Sequence, residues 1–197
     1  MTQFDPLQKY DRAVPRYTSY PTAPHFHPGI DAAAYAAWLA AGDARAPVSL
    51  YLHVPYCKAM CWYCGCHTKV AARYQPVEDL AARLIDEIAL VARHVGTVRP
   101  ATQIHWGGGT PNMLRPADFA RVMAALDRHF PRADTAEVAI EMDPRLLTQE
   151  MAAECLMSGI NRVSLGVQDF DSEVQRLINR EQPFDLVRQA VELLRAH

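Results

Sequence analysis

Four short segments set the terms for any fold of this chain, because each alternates aliphatic residues with polar or small ones. They are SLYLHV (49–54), TQIHWG (102–107), EVAIEM (137–142) and NRVSLGVQ (161–168). In the first, Leu50, Leu52 and Val54 face one way while Ser49, Tyr51 and His53 face the other; in the second, Ile104 and Trp106 oppose Gln103 and His105. The third sets Val138, Ile140 and Met142 against Glu137 and Glu141, and the fourth Val163, Leu165 and Val167 against Ser164 and Gln168. Such alternation predicts strands with one apolar face. Between them run helical patterns: Val77, Leu80, Leu84, Ile88, Val91 and Val95 recur at helical spacing, as do Phe119, Val122, Met123 and Leu126 after Pro116, which suits a first turn. Helical crossovers favour parallel βα units over an antiparallel sheet with a wet face. A parallel sheet covered on both faces is apolar throughout. The polar face therefore predicts a sheet curling around a ligand cavity, as in an open or closed βα-barrel.

The remaining sequence places this unit. Residues 1–30, rich in Pro, Tyr and His, predict an extended N-terminal arm, and DAAAYAAWLA (31–40) a short helix, so that residues 1–45 precede a barrel core over 46–197. The chain stops in a helical pattern after the fourth strand. Half of the 197 residues are hydrophobic, and the net charge of -2 is spread along the chain. That argues for a globular fold and against a nucleic-acid module working by phosphate neutralisation. The amino terminus has no secretion-signal pattern, and no run approaches the ~18 apolar residues of a membrane span. The expected location is cytoplasmic.

The stretch CKAMCWYCGC (57–66) holds four of the five cysteines, in the loop after the first strand, where βα-barrels build their sites. A reducing compartment and strained local geometry oppose disulfides. Zinc is the sober alternative, but no second, distant Cys or His pair is visible. An iron–sulfur cubane fits the spacing Cys57-x3-Cys61-x2-Cys64 best, since three thiolates hold three irons and leave the fourth open. Cys155, beside Met151 on the apolar side of a helix, reads as core.

With Tyr63 just before the last cysteine, this CxxxCxxC loop resembles the radical S-adenosylmethionine (SAM) signature. Further stretches, PRYTSYPTAPHF (15–26), YLHVPYC (51–57), CWYCGC (61–66), HWGGGTP (105–111), IEMDPR (140–145), NRVSLGVQDF (161–170) and INREQ (178–182), resemble the oxygen-independent coproporphyrinogen III oxidase (coproporphyrinogen dehydrogenase) family of haem biosynthesis. Haem-binding paralogues that act as chaperones share the loop; they usually lack a Gly-Cys pair like Gly65 and Cys66, and they lack the PRYTSYPT arm. The resemblance implies a barrel of six βα units, so that this chain is expected to be truncated after the fourth strand, and a [4Fe-4S] cluster on Cys57, Cys61 and Cys64. It implies a first SAM held by Tyr51, Gly108 and Glu141, and a second held by Tyr63, Gly109, Thr110, Gln168 and Arg180. Cys66 is similar to a cysteine that matters in the family without ligating the cluster; on the residues alone it reads equally as a structural thiol. His53 is a candidate catalytic or supporting group, His105 a weaker one. Taken by itself, Arg180 reads as a surface salt-bridge residue. The implied reaction uses a 5'-deoxyadenosyl radical to convert two propionates of coproporphyrinogen III to vinyl groups, giving protoporphyrinogen IX. The implied partners are a reductase or flavodoxin-type electron donor, with no nucleic acid or membrane, and the implied state is a monomer. Arg12 and Arg16 are candidate anchors for substrate carboxylates.

Overall fold

The computed structural model describes residues 21–196; Arg12, Arg16 and most of the expected arm lie outside them. In chain order the described residues form helix α1 (Ala32–Ala41), strand β1 (Val48–Val54), two short strands β2 (Tyr56–Cys57) and β3 (Lys69–Val70), helix α2 (Gln75–Val95), strand β4 (Ala101–Gly108), helix α3 (Pro116–His129), strand β5 (Arg132–Met142), helix α4 (Gln149–Met157), strand β6 (Arg162–Leu165), and helices α5 (Ser172–Leu177) and α6 (Phe184–Arg195). Single 3-10 turns occupy Ala23–His25, Pro111–Met113 and Pro144–Leu146. The chain divides into two units, one ending at Tyr35 and the other beginning at Ala36. All six strands and every helix from α2 onward belong to the second.

The four alternating segments form one sheet in the order β1-β4-β5-β6, every pair parallel. Neighbours in the sheet thus follow one another among the long strands, so their carboxyl ends share one edge and the loops leaving that edge meet. The aliphatic face carries the core. Val54, Ile104, Trp106, Val138 and Ile140 are buried there beneath Val77, Leu84 and Ile88 of α2 and Phe119, Val122, Met123 and Leu126 of α3. The rings of Trp106 and Phe119 meet at a centroid distance of 4.9 Å, tilted by 45°, a favoured aromatic geometry. The helix ends have local causes. Pro76 lies in the first turn of α2, and Gly96 stops the helix at φ 72°. Thr148 caps α4 by accepting from Met151 N–H, and Asp171 caps α5 by accepting from two backbone N–H groups.

The other face of the sheet is polar and open: Tyr51 is 59% exposed, and His105 and Glu141 are similarly accessible. The architecture is the open form of the expected βα arrangement. Some elements differ from expectation, among them β5, which begins at Arg132 and not at Glu137. Strand β6 ends at Leu165, because the Gly166 N–H still bonds to Met142 O at 3.1 Å but Gln168 adopts φ 70°, a left-handed conformation that cannot continue a strand. The pair β2–β3, joined in parallel register at Tyr56 with Lys69 and Cys57 with Val70, is too short to leave a periodic signal. Cys155 is 3% exposed, as expected of core. Among the described residues, no helix is long and apolar enough to cross a membrane.

Candidate active site

Three loops leaving the carboxyl edge and the segment after β6 enclose a cavity of about 270 Å3. The cysteine loop supplies Cys57, Cys61, Tyr63, Cys64 and Cys66; the end of β4 supplies Gly108, Gly109 and Thr110; Glu141 comes from β5, and Gln168 and Arg180 from beyond β6. Eleven of the candidate site residues therefore line one space. Tyr51, His53 and His105 stand beside it on the polar face.

Close approach explains the glycines. A Cβ on Gly107 would lie 3.0 Å from the Tyr51 hydroxyl and 3.3 Å from Glu141 Oε2; one on Gly109 would lie 2.8 Å from Tyr56 O and 3.0 Å from Cys57 Sγ. Gly108 adopts φ 110°, a conformation that L side chains rarely reach. The strand end can therefore run flush against the cysteine loop, and the Gly109 N–H returns to Val54 O at 2.8 Å.

Each thiol has its own surroundings. The Thr110 hydroxyl donates to Cys57 Sγ at 3.3 Å, and Thr68 Oγ1 lies at 3.3 Å from the same sulfur. Arg180 Nη1 points at Cys61 Sγ from 3.5 Å. Residues 178–180 grip the loop as a unit: Trp62 N–H donates to Ile178 O, and Asn179 Nδ2 donates to Met60 O at 2.7 Å from a left-handed backbone at φ 56°. Burial pushes the Tyr63 hydroxyl up to about 12, against the opposing charge of Arg180.

Arg180 is not a surface residue, contrary to its reading in isolation. Its side chain is 11% exposed, donates to Gly166 O at 2.7 Å and Gln182 Oε1 at 3.0 Å, and faces the Asp143 carboxylate at 3.7 Å. Asp143 accepts from Arg145 Nε and Nη2 and from the Arg145 backbone N–H. Its own backbone N–H and C=O both bond to the Asn112 carboxamide at 3.0 Å, which ties the loop after β4 to the loop after β5. Burial by itself would raise the Asp143 carboxyl, but the hydrogen bonds from Arg145 and the charge of Arg180 outweigh it and hold it below the usual carboxylate range. Asp143, Arg145, Asn112, Thr68 and Asn179 carry no role in the sequence patterns above. The stretch IEMDPR, directly after a strand's carboxyl end, was the available signal for the first two.

On the polar face, Tyr51 Oη and His53 Nδ1 are 3.0 Å apart, and His53 Nε2 lies 2.9 Å from His67 O. A carbonyl only accepts, so Nε2 carries the hydrogen and, in the neutral ring, Nδ1 accepts from Tyr51. His105 Nε2 reaches Glu141 Oε1 at 3.2 Å.

The donor set bears on what can bind. Cys57, Cys61 and Cys64 line one cavity, with Cys57 at the end of β2 and Cys61 and Cys64 further along the loop. Three thiols around one space suit a polynuclear cluster, where each thiolate takes a different iron. The cationic Arg180 beside Cys61 suits its negative charge. The residues fit the group.

Parallel βα units with a three-cysteine loop after the first strand define a class of proteins that start radical chemistry at a cluster. A family profile described as the Radical SAM superfamily matches residues 51–197. The chain belongs to that superfamily, and membership implies a [4Fe-4S] cluster and SAM. Among individual proteins, it is 51% identical over 185 residues to the oxygen-independent coproporphyrinogen III oxidase of Bradyrhizobium diazoefficiens, covering 94% of this chain and 41% of that one. It is 40% identical over 195 residues to the enzyme of the same name from Paracoccus denitrificans, covering 98% and 43%. The solved structure of coproporphyrinogen III oxidase from Escherichia coli, described as a radical SAM enzyme, matches with a TM-score of 0.85 at 37% identity, over 96% of this chain and 42% of that one. The chain thus spans about two-fifths of the length of these relatives.

Proposed function

We propose that this chain carries the cluster- and SAM-binding part of an oxygen-independent coproporphyrinogen III oxidase. In that reaction each of two propionates loses a β-hydrogen atom, carbon dioxide and one electron, leaving a vinyl group and converting coproporphyrinogen III to protoporphyrinogen IX. The observation that carries the reading is the meeting of the cysteine loop, the glycine turn of β4, Glu141, Gln168 and Arg180 around one cavity, in a chain similar to named oxidases over nearly its whole length.

Cys57, Cys61 and Cys64 would hold the cluster. Tyr51, Gly108 and Glu141 would hold one SAM, and Tyr63, Gly109, Thr110, Gln168 and Arg180 a second. When bound, the cluster and SAM supply reductive cleavage and a carbon radical able to abstract hydrogen. The chain's own contribution is positional. Gly108 and Gly109 expose backbone to a ligand, Glu141 offers a carboxylate to its hydroxyl or ammonium groups, and Arg180 offers a fixed cation. Thr68 and Thr110 fix the Cys57 sulfur, and His53 fixes the Tyr51 hydroxyl. The reading includes a reductase or flavodoxin-type electron donor, a cytoplasmic location and a monomeric chain.

Anaerobic reconstitution tests it. The expected result is an iron–sulfur absorbance band, close to four irons and four sulfides per chain, and release of methionine and 5'-deoxyadenosine from SAM under dithionite. A zinc-loaded chain that leaves SAM intact would overturn the reading, as would tight haem binding without SAM cleavage.

A further inference from the structure

On the outer wall of the cysteine loop lies a second cavity, of about 250 Å3, that the proposed chemistry does not use. Lys58, Arg73, Tyr74 and Met113 line it. The Arg115 guanidinium stacks on the Tyr74 ring, 4.0 Å from its centroid, so a third cation borders the same hollow. Lys69 belongs to the same loop, on the β3 strand that pairs with Cys57 and Tyr56. All four cations are exposed, and among the described residues none forms an ion pair. Composition does not account for this. The chain has 22 acidic residues against 20 basic ones, yet residues 44–77 contain no Asp or Glu. Asp118, which touches Tyr74, is buried and already engaged by Tyr74 and Arg121; Glu78 and Asp79 lie further along the chain, in the first turns of α2.

The wall is thin. The Ala71 N–H, at the rim, donates to the carbonyl of Cys57 at 3.0 Å, so one backbone hydrogen bond separates the cationic surface from a proposed cluster ligand. We infer that this face is the docking surface for an acidic one-electron carrier protein, whose carboxylates pair with Lys58, Arg73 and Arg115 and bring its cofactor to the back of the cysteine loop. The inference rests on the functional reading above, because only a cluster behind the wall gives a carrier reason to dock there. Unpaired cations of one sign steer an acidic partner and orient it.

The test measures binding of an acidic flavodoxin to the full chain by calorimetry, with no electron transfer required. Affinity is expected to fall steeply between ~20 mM and ~300 mM salt, as the Debye length shortens. K58E/R73E is expected to weaken binding by about tenfold or more, and R115E alone by less. The charge-matched control, R93E/R128E, reverses two exposed arginines in the last turns of α2 and α3, at the opposite end of the helices, and is expected to bind as the parent does. Equal binding by K58E/R73E and the parent overturns the inference, as does an equal loss in the control. Reduction by dithionite, which needs no docking, reports separately on the cluster. A chain that binds flavodoxin through these residues yet assembles no cluster refutes the functional reading and not the docking surface.

Discussion

The cysteines and the buried ion cluster behind them make the sharpest statements about single residues. Replacing Cys57, Cys61 or Cys64 with Ala leaves two protein thiolates and is expected to abolish the reconstituted cluster, while Cys66→Ala retains it; iron and sulfide content of the four variants decides this. Cys155 behaves differently, because burial, with a smaller contribution from Glu154, pushes its thiol up to about 12. At pH ~8 it is expected to resist alkylation in the folded chain and to react on unfolding. Asp143 makes a prediction of its own. Its native carboxyl titrates below the unfolded value of about 4, so its contribution to stability is fully present above that value and is lost as pH falls through the lower native one. Asp143→Asn leaves Arg145 and Arg180 without their buried counter-charge and is expected to cost about 3 kcal/mol at neutral pH. Denaturant midpoints measured at neutral and acid pH should converge for parent and variant as Asp143 protonates.

At the level of elements, the tightest fit is between the end of β4 and the cysteine loop. Gly109→Ala would drive a methyl into Tyr56 O, the Thr68 hydroxyl and Cys57 Sγ, so the loop must shift; cluster content is expected to fall severalfold, with a stability loss of about 1–3 kcal/mol. A variant that reconstitutes normally would show that the loop tolerates the displacement. Legibility in the sequence obeys the same physics. The long strands announced themselves because each has one face in the core and one outside it, and α2 and α3 because their apolar residues recur at helical spacing. The β2–β3 ladder has two residues a side and no room for a period. The alternating pattern runs three residues past the end of β6, since Val167 alternates correctly while the backbone at Gln168 has already turned. Arg180 misled because its burial is decided by Gly166, Gln182 and Asp143, a neighbourhood assembled by tertiary packing and invisible to local pattern. Asp143 and Asn112 were missed for the same reason: their bond joins loops 31 positions apart.

For the molecule as a whole, the open polar face is the governing feature. Tyr51, His105 and Glu141 are accessible to water, and radical chemistry needs water kept out. The relatives extend well beyond the matched region, since the chain spans about two-fifths of their length. This chain by itself is therefore expected to assemble the cluster and to cleave SAM slowly, with little or no protoporphyrinogen formed, whereas a chain extended to the relatives' full length forms it. Comparable product from both would show that the polar face needs no further cover.

The two-residue ladder between β2 and β3 has a consequence for how the centre is loaded. Because Cys57 pairs with Val70 and the Ala71 N–H holds its carbonyl, the loop carrying Cys61 and Cys64 is already closed in the folded chain. The entropy of bringing its ends together is met at folding and not when iron arrives. Capture then proceeds in a loop anchored at Cys57 by this ladder and at Met60 and Trp62 by Asn179 and Ile178, and ladder-breaking changes at Lys69 or Val70 should slow assembly more than they weaken the finished centre.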